Sequence, residues 1–272
     1  MGRSIGQLLE DSQGELNHVD LYYLVGHAIG KSKEFILAHP EHKVSLRSII
    51  RFKRMKRRRI RGVPSAYLTG EKEFYALTFG VNRFTLIPRP ETELIVEEVI
   101  RRHPKRMLDM GTGSGCIAVS VARCLPECSV TAVDISRRAL SVARRNSTRL
   151  LGPNRVSFIR SDYFSALPAN RYDVIASNPP YVRAGDVEEL SPEVAAYEPS
   201  GALYGGEDGL HAFRTILGGA RDYLSSTGVL VLEVSPEISR EVQTMSGQNG
   251  YRVEKVEQDL SGNERMVVLV PV

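Results

Sequence analysis

Apolar residues recur at spacings of three and four along the N-terminal part of the chain, in the runs IGQLLEDS, LYYLVGHAIG, KEFILAHP and VSLRSIIRFKRMKRR. That spacing lines one face of a helix. No strand pattern interrupts it, so residues 1–65 are expected to form a small helical bundle. From Tyr67 to Ile87 the pattern changes to short alternating runs, EKEFYALTFGVNRFTLI, which predicts a β-hairpin connector over 66–86, ended by Pro88 and Pro90. Beyond Glu91 strand and helix patterns alternate, the sign of a parallel sheet covered on both faces. The candidate strands are RMLDM, SVTAVD, VSFIRSD, YDVIASN, VLVLEV, YRVEKVE and RMVVLV, the last two with no room for a helix between them. Residues 87–272 are therefore expected to fold as an α/β domain, a doubly wound sheet of seven strands that ends in a hairpin.

With 272 residues the chain has room for that domain and for the module before it. An apolar content of 42% with 25% charged residues is ordinary for a globular protein and argues against disorder. Charge changes the picture more. Residues 1–62 carry 13 Lys and Arg against 6 Asp and Glu, and the remainder 23 against 26, so a basic module precedes a slightly acidic one. Within it, eight of the eleven residues at 51–61 are basic. Such a run could neutralise phosphates. With no aromatic interleaving beyond Phe52, it reads better as a solvated helix face that steers an acidic partner, nucleic acid not being required.

The N-terminus lacks the apolar stretch of a secretory signal, and no run approaches the roughly 18 apolar residues of a membrane span. A cytoplasmic protein without membrane contact is expected. Gly2 begins no myristoylation motif, because Gly6 stands where Ser or Thr is required. Cys116, Cys124 and Cys128 are odd in number and lack C-x-x-C spacing, which suits neither a disulfide framework nor a zinc site, so buried thiols are expected. His39 and His42 flank Pro40 and Glu41 and read as surface residues; no metal is expected.

The first strand of the sheet, RMLDM, carries Asp109 and Met110 into the loop Gly111-Thr112-Gly113-Ser114-Gly115, ahead of a helix from about Cys116. Glycines there let the backbone turn tightly and approach a ligand at the carboxyl end of the strand. The dinucleotide fingerprint G-x-G-x-x-G needs glycine at 116, where Cys116 stands. Asp109 offers a carboxylate suited to a cationic amino group, such as the methionine part of S-adenosyl-L-methionine. SVTAVD ends in Asp134, placed to accept from both ribose hydroxyls. VSFIRSD ends in Asp162, an acceptor for an exocyclic amine, followed by Tyr163, a ring to stack on adenine.

At the end of YDVIASN stands Asn178-Pro179-Pro180-Tyr181. Successive prolines fix the backbone and remove N–H donors, leaving acceptors only. Asn178 adds a side-chain carbonyl, Pro179 a backbone carbonyl, and Tyr181 a flat face. Together they are expected to hold an NH2 group on an sp² carbon with its nitrogen aimed at a sulfonium methyl, so that catalysis is mainly positioning. Adenine, cytosine and glutamine all present that geometry.

Four further segments, GVPSAYLTGEKEF at 62–74, FTLIPRPETE at 84–93, EPSGALYGGEDGL at 198–210 and DLSGNERMV at 259–267, join the glycine loop and NPPY in a wider pattern. On these the chain resembles the release-factor glutamine methyltransferase family, HemK/PrmC, over nearly its whole length. The resemblance implies a seven-stranded class I methyltransferase (Rossmann-like) sheet and a helical N-terminal domain that docks a release factor. It implies S-adenosyl-L-methionine as cofactor, S-adenosyl-L-homocysteine as product, and methyl transfer to N5 of the glutamine in the GGQ loop of class 1 peptide chain release factors. By the same resemblance Gly111 through Gly115, Asp134 and Tyr163 match cofactor positions, and Asn178 through Tyr181 the glutamine site. Tyr163 departs from the Trp that relatives often carry, and EVSPE at 233–237 departs where they often have Gly after the strand. A glutamine methyltransferase of a ribosomal protein shares NPPY and stays open as an alternative. A DNA or RNA amino-methyltransferase calls for a target-recognition insertion, and no stretch after residue 91 is long enough for one.

Overall fold

The computed structural model describes residues 3–272, so Gly2 lies outside the described residues. Four N-terminal helices start behind polar residues that satisfy an N–H of the first turn. They are α1 (Ile5–Glu10) after Ser4, α2 (His18–Ile29) after Asn17, α3 (Lys33–Ala38) after Ser32 and α4 (Leu46–Ile60) after Ser45. Each capping side chain accepts from the N–H of the third helical residue. Ile5, Leu24, Val25, Ile36, Ile49 and Phe52 form their shared core. The basic run of α4 divides by face. Lys56 reaches Glu15 Oε1 at 2.6 Å and Arg59 Nε reaches Asp20 Oδ2 at 2.7 Å, while Lys53, Arg54, Arg57 and Arg58 are exposed.

A fifth helix, α5 (Ser65–Thr69), sits between Pro64 and Gly70 and runs from the last residue expected in the helical module into the stretch expected to be a connector. It is too short to display a helical period. One compact unit takes in the chain up to Glu71 and, from much later, Ser191–Tyr197; Lys72–Leu190 and Glu198–Val272 make the other, so the chain passes between units three times. The division thus falls after Glu71 rather than at residue 65, and it gives the helical unit a segment that the sequence pattern placed within 87–272. That segment carries α9 (Pro192–Tyr197), held to the end of α4 by a Glu193–Arg59 ion pair and by Tyr197 Oη donating to the Arg61 carbonyl at 2.9 Å.

The hairpin of β1 (Glu71–Phe74) and β2 (Leu77–Gly80) turns through Tyr75 and Ala76, at φ of 48° and 55°. Two successive positive φ values define the tight turn that matches strand twist. Phe74 and Phe79 meet edge to face, 6.0 Å between centroids, in the core of the larger unit.

The large sheet contains β3 (Arg106–Met110), β4 (Ser129–Asp134), β5 (Val156–Arg160), β6 (Tyr172–Ser177), β7 (Leu224–Glu233), β8 (Tyr251–Gln258) and β9 (Glu264–Pro271). Their order is β5-β4-β3-β6-β7-β9-β8, parallel except for β9, which runs antiparallel to β7 and β8. Alternate residues face opposite ways. Met107, Val130, Val174 and Val231 pack under α6 (Glu93–Arg102) and α7 (Cys116–Cys124), and Leu108, Val133, Ile175 and Leu232 under α10 (His211–Ala220) and α11 (Pro236–Gln248). The sheet is thus covered on both faces. Of the three thiols Cys116 and Cys128 are buried, whereas Cys124, at the end of α7, is exposed, contrary to expectation. Among the described residues no helix is long and apolar enough to cross a membrane.

Candidate functional site

Strand order reverses between β3 and β6, with β4 and β5 on one side and β7 on the other. Open α/β sheets leave a crevice beyond the strand ends at such a point. Here it is a cavity of about 570 Å³, and Ser177 Oγ donates to the Met110 carbonyl at 2.7 Å, tying the two strand ends together.

Gly111, Gly113 and Gly115 have φ of 74°, 57° and 83°, a region that side chains disfavour. Gly111, Thr112, Gly113 and Ser114 line the cavity; Gly115 does not. A Cβ on Gly115 would stand 3.1 Å from that of Ala143, so this glycine lets α7 close on α8 (Arg137–Leu151). Asp109 is also off the wall. Its side chain is fully buried beneath the loop, where Oδ2 accepts from Thr112 Oγ1 at 2.6 Å and from the Ala118 N–H at 3.2 Å, while Oδ1 has no partner among the described residues. Burial, reinforced by Asp134 and opposed by those two donors, pushes the carboxyl up to about 7. The direct contact with an amino group expected of Asp109 is thereby corrected: its donors turn it inward, and it braces the loop from below. Asn146 of α8 adds a second brace, donating to the Ser114 carbonyl at 2.8 Å and to the Gly80 carbonyl at 2.9 Å.

Asp134, at the end of β4, lines the cavity. Its Oδ2 accepts from the Gly113 N–H at 2.9 Å and its Oδ1 from the Ser136 N–H at 2.8 Å. Burial raises its pKa, and the two N–H donors oppose the rise. Each carboxylate oxygen has capacity for a second donor, which is what a vicinal diol brings. Asp162 and the half-buried Tyr163 follow β5 on the same wall. Tyr163 stands at φ 46°, a conformation that non-glycine residues seldom hold, with its carbonyl pinned by Ser161 Oγ at 2.7 Å. Diol acceptor, flat ring and glycine loop fit a nucleoside with a compact polar tail.

Asn178, Pro179 and Pro180 line the same cavity. The backbone beyond them is clamped by the segment around Gly205: the Val182 N–H donates to the Leu203 carbonyl at 2.9 Å, and the Gly205 N–H to the Val182 carbonyl at 2.8 Å. A Cβ on Gly205 would lie 2.8 Å from the Pro180 carbonyl oxygen, and one on Gly209, at φ 75°, 2.5 Å from that of Tyr181. Only glycine admits such an approach. Tyr181 itself is not on the cavity wall; its ring packs against the core under α10 and α11, where burial first and Glu233 second raise its pKa. The flat face expected of it is not offered to this cavity, because the core takes the ring.

Several wall residues were not singled out from the sequence. Phe84, Pro88, Arg89 and Thr92 all come from the segment FTLIPRPETE. Buried Glu198 pairs with Arg89 and accepts from the Ile87 N–H at 3.0 Å, which joins that segment to the one at 198–210. Asn178 Nδ2 donates to Thr92 Oγ1 at 3.1 Å, and Thr92 Oγ1 donates to Glu233 Oε2 at 2.6 Å. Burial pushes Glu233 up to about 7, with Thr92 the first of the opposing influences. Its signal in the sequence is a lone charge at the end of the apolar run VLVLEV.

Comparison with known proteins follows these two halves of the chain. Residues 3–70 match the PrmC N-terminal domain and residues 90–194 the methyltransferase small domain. A solved methyltransferase from Pyrococcus furiosus, 20% identical over 73% of this chain and 90% of its own, superposes with a TM-score of 0.55 and shares the class I methyltransferase fold. The bifunctional methyltransferase of Rickettsia conorii is 31% identical across 99% of this chain, which spans only 58% of that relative. The release factor glutamine methyltransferase of Rhodopirellula baltica is 38% identical, over 93% of this chain and 89% of its own length. Such identity, over most of both sequences and taking in the helical module as well as the sheet, means that the chain belongs to the release factor glutamine methyltransferase family.

Proposed function

We propose that the protein methylates N5 of the glutamine side chain in the Gly-Gly-Gln motif of class 1 peptide chain release factors, with S-adenosyl-L-methionine as methyl donor. The observation that carries this reading is that Asn178, Pro179 and Pro180 share one cavity with the Gly111–Ser114 loop and Asp134. The choice of substrate is supported by family membership and by the relative from Rhodopirellula baltica, which is named for it.

Asp134 would hold the ribose hydroxyls, Asp162 the exocyclic amine, Tyr163 the adenine ring and the glycine loop the methionine part. When bound, the cofactor supplies a methyl carbon on a sulfonium and is left as S-adenosyl-L-homocysteine, the amide nitrogen losing one proton to water. Asn178 Oδ1 and the Pro179 carbonyl each accept one hydrogen of the target NH2, which fixes the plane and direction of its nitrogen. Tyr181 holds this corner from behind. Positioning of this kind can supply about 7–11 kcal/mol of the barrier. The exposed basic face of α4 steers an acidic surface of the partner, and the helical unit receives it.

Incubation with labelled S-adenosyl-L-methionine and a release factor, its Gln→Ala variant, or DNA tests the reading. Label on the release factor and not on its variant is expected. Label on DNA with none on the release factor overturns it.

A further inference from the structure

We infer that Thr92 and Glu233 are positioning residues which decide which end of the Asn178 side-chain amide faces the substrate. The inference rests on the reading of Asn178 as the group that holds the target amide, and deepens it.

Three residues distant in sequence form one line of hydrogen bonds, Asn178 Nδ2 to Thr92 Oγ1 at 3.1 Å and Thr92 Oγ1 to Glu233 Oε2 at 2.6 Å. Its direction follows from the chemistry of its far end. An ionised carboxylate only accepts, so the Thr92 hydroxyl gives its single proton to Glu233 and shows only lone pairs to Asn178. Asn178 must then turn its NH2 toward Thr92, which leaves Oδ1, an acceptor, for an incoming NH2. With the amide turned the other way, donor would meet donor and the target could not be held.

Two features separate this role from plain packing. Thr92 ends a 3-10 turn (Pro90–Thr92) that runs directly into α6, with a helical backbone and no capping bond from its side chain. Its hydroxyl is given to Glu233 and Asn178 instead. Glu233 is 3% exposed at the end of an apolar strand, where a hydrophobic side chain would avoid the cost of burying a carboxylate. What the carboxylate adds is a fixed polarity, and that polarity ends on Asn178.

Ionisation of Glu233 sets the bias. The groups that act on it come from every neighbouring element: Glu91 and Arg89 before α6, Arg265 on β9, Tyr181 after β6, and Cys116 at the start of α7. Burial outweighs them and holds the carboxyl up to about 7. Below that pH a protonated Glu233 can itself donate to Thr92, the hydroxyl is released to donate to Asn178, and the preference is lost. The contribution to turnover is therefore present above about pH 7 and fades as the pH falls through it.

The test uses the full chain, a release factor as acceptor and saturating S-adenosyl-L-methionine. Thr92→Val, isosteric but without the hydroxyl, lowers kcat about 10- to 100-fold with cofactor affinity within about twofold, and Thr92→Ser restores kcat to within about threefold. Glu233→Gln flattens the acid limb of log kcat, because a carboxamide can either donate to Thr92 or accept from it at any pH. The Asn178 side-chain 1H–15N amide signal, identified by its loss in Asn178→Ala, shifts with pH in the wild type with a midpoint near 7 and not in Glu233→Gln. A Thr92→Val enzyme with wild-type kcat, a serine variant that fails to recover, or an Asn178 signal indifferent to both substitutions overturns the inference. Should Thr92→Val not fold, the Glu233→Gln pH profile and amide signal decide alone. If Asn178→Ala turns over normally, the reading beneath it has failed instead.

Discussion

The cavity has two ends built in different ways. At the glycine loop one continuous stretch of chain, residues 109 to 118, supplies the turn, its inner brace and the start of the next helix, and bonds from Gly111 and Thr112 to Val133, from Gly113 to Asp134 and from Asn146 to Ser114 close it. At the acceptor corner, Asn178 is oriented by Thr92, and the backbone at Pro180 and Tyr181 is admitted by Gly205 and Gly209. The turn at the first end is written in one stretch of sequence, with braces from β4 and α8; the second end is assembled wholly from separate regions. The lesson is that binding of the cofactor and orientation of the acceptor are separable, since among the described residues the corner reaches the loop only through Ser177 and Met110.

Separability is tested most severely by Asn178→Ala, which is expected to lower kcat about a thousandfold with cofactor affinity unchanged, because positioning acts on turnover. Calorimetry that found cofactor affinity lost in parallel would break the comparison. Next is Gly209→Ala. Its Cβ must displace the Tyr181 carbonyl and occupy a left-handed conformation, so single-turnover rates about 100-fold lower are expected with cofactor binding intact. From the other end, Asp134→Ala should weaken cofactor binding by about 1.5–3 kcal/mol, the scale of hydrogen bonds to a charged group, and leave kcat at saturation within a few-fold. An unchanged dissociation constant would mean that Asp134 carries no ribose contact. The smallest effect is expected far from both ends: the triple change Arg54→Glu, Arg57→Glu and Arg58→Glu lowers kcat/KM for a release factor about tenfold at low salt and much less at high salt. Loss of kcat itself would show that the α4 face does more than steer.

The same contrast explains what could be read before the fold was known. The inner strands of the sheet are visible as apolar runs, because a strand buried on both faces needs little else, whereas the edge strand β8 shows itself by alternation, with Arg252 and Glu254 exposed between Tyr251 and Val253; the glycine loop is visible because positive φ at 111, 113 and 115 has to be written into the sequence. Asp134, Asp162 and Tyr163 were legible as strand ends. Asp109 and Tyr181 were not placed correctly, since nothing in the spacing says whether a side chain at a strand end turns outward to a ligand or inward to a brace or a core. Thr92 and Glu233 lay within recognised segments, but a hydrogen bond joining positions 141 residues apart leaves no periodic trace. The hairpin turn at Tyr75 and Ala76 lacks the Asn-Gly or Asp-Gly that usually announces one.

Because Ser191–Tyr197 is counted with the helices while both its neighbours along the chain are counted with the sheet, the N-terminal module is not an appendage that evolution or an experimenter can simply remove. Excision at Glu71 would strip Glu193 and Tyr197 of their partners Arg59 and Arg61 and leave a loose loop thirteen residues downstream of Asn178. A swap of modules between relatives would have to transplant two stretches of chain together, the long one and its short outlier, to give a folded hybrid.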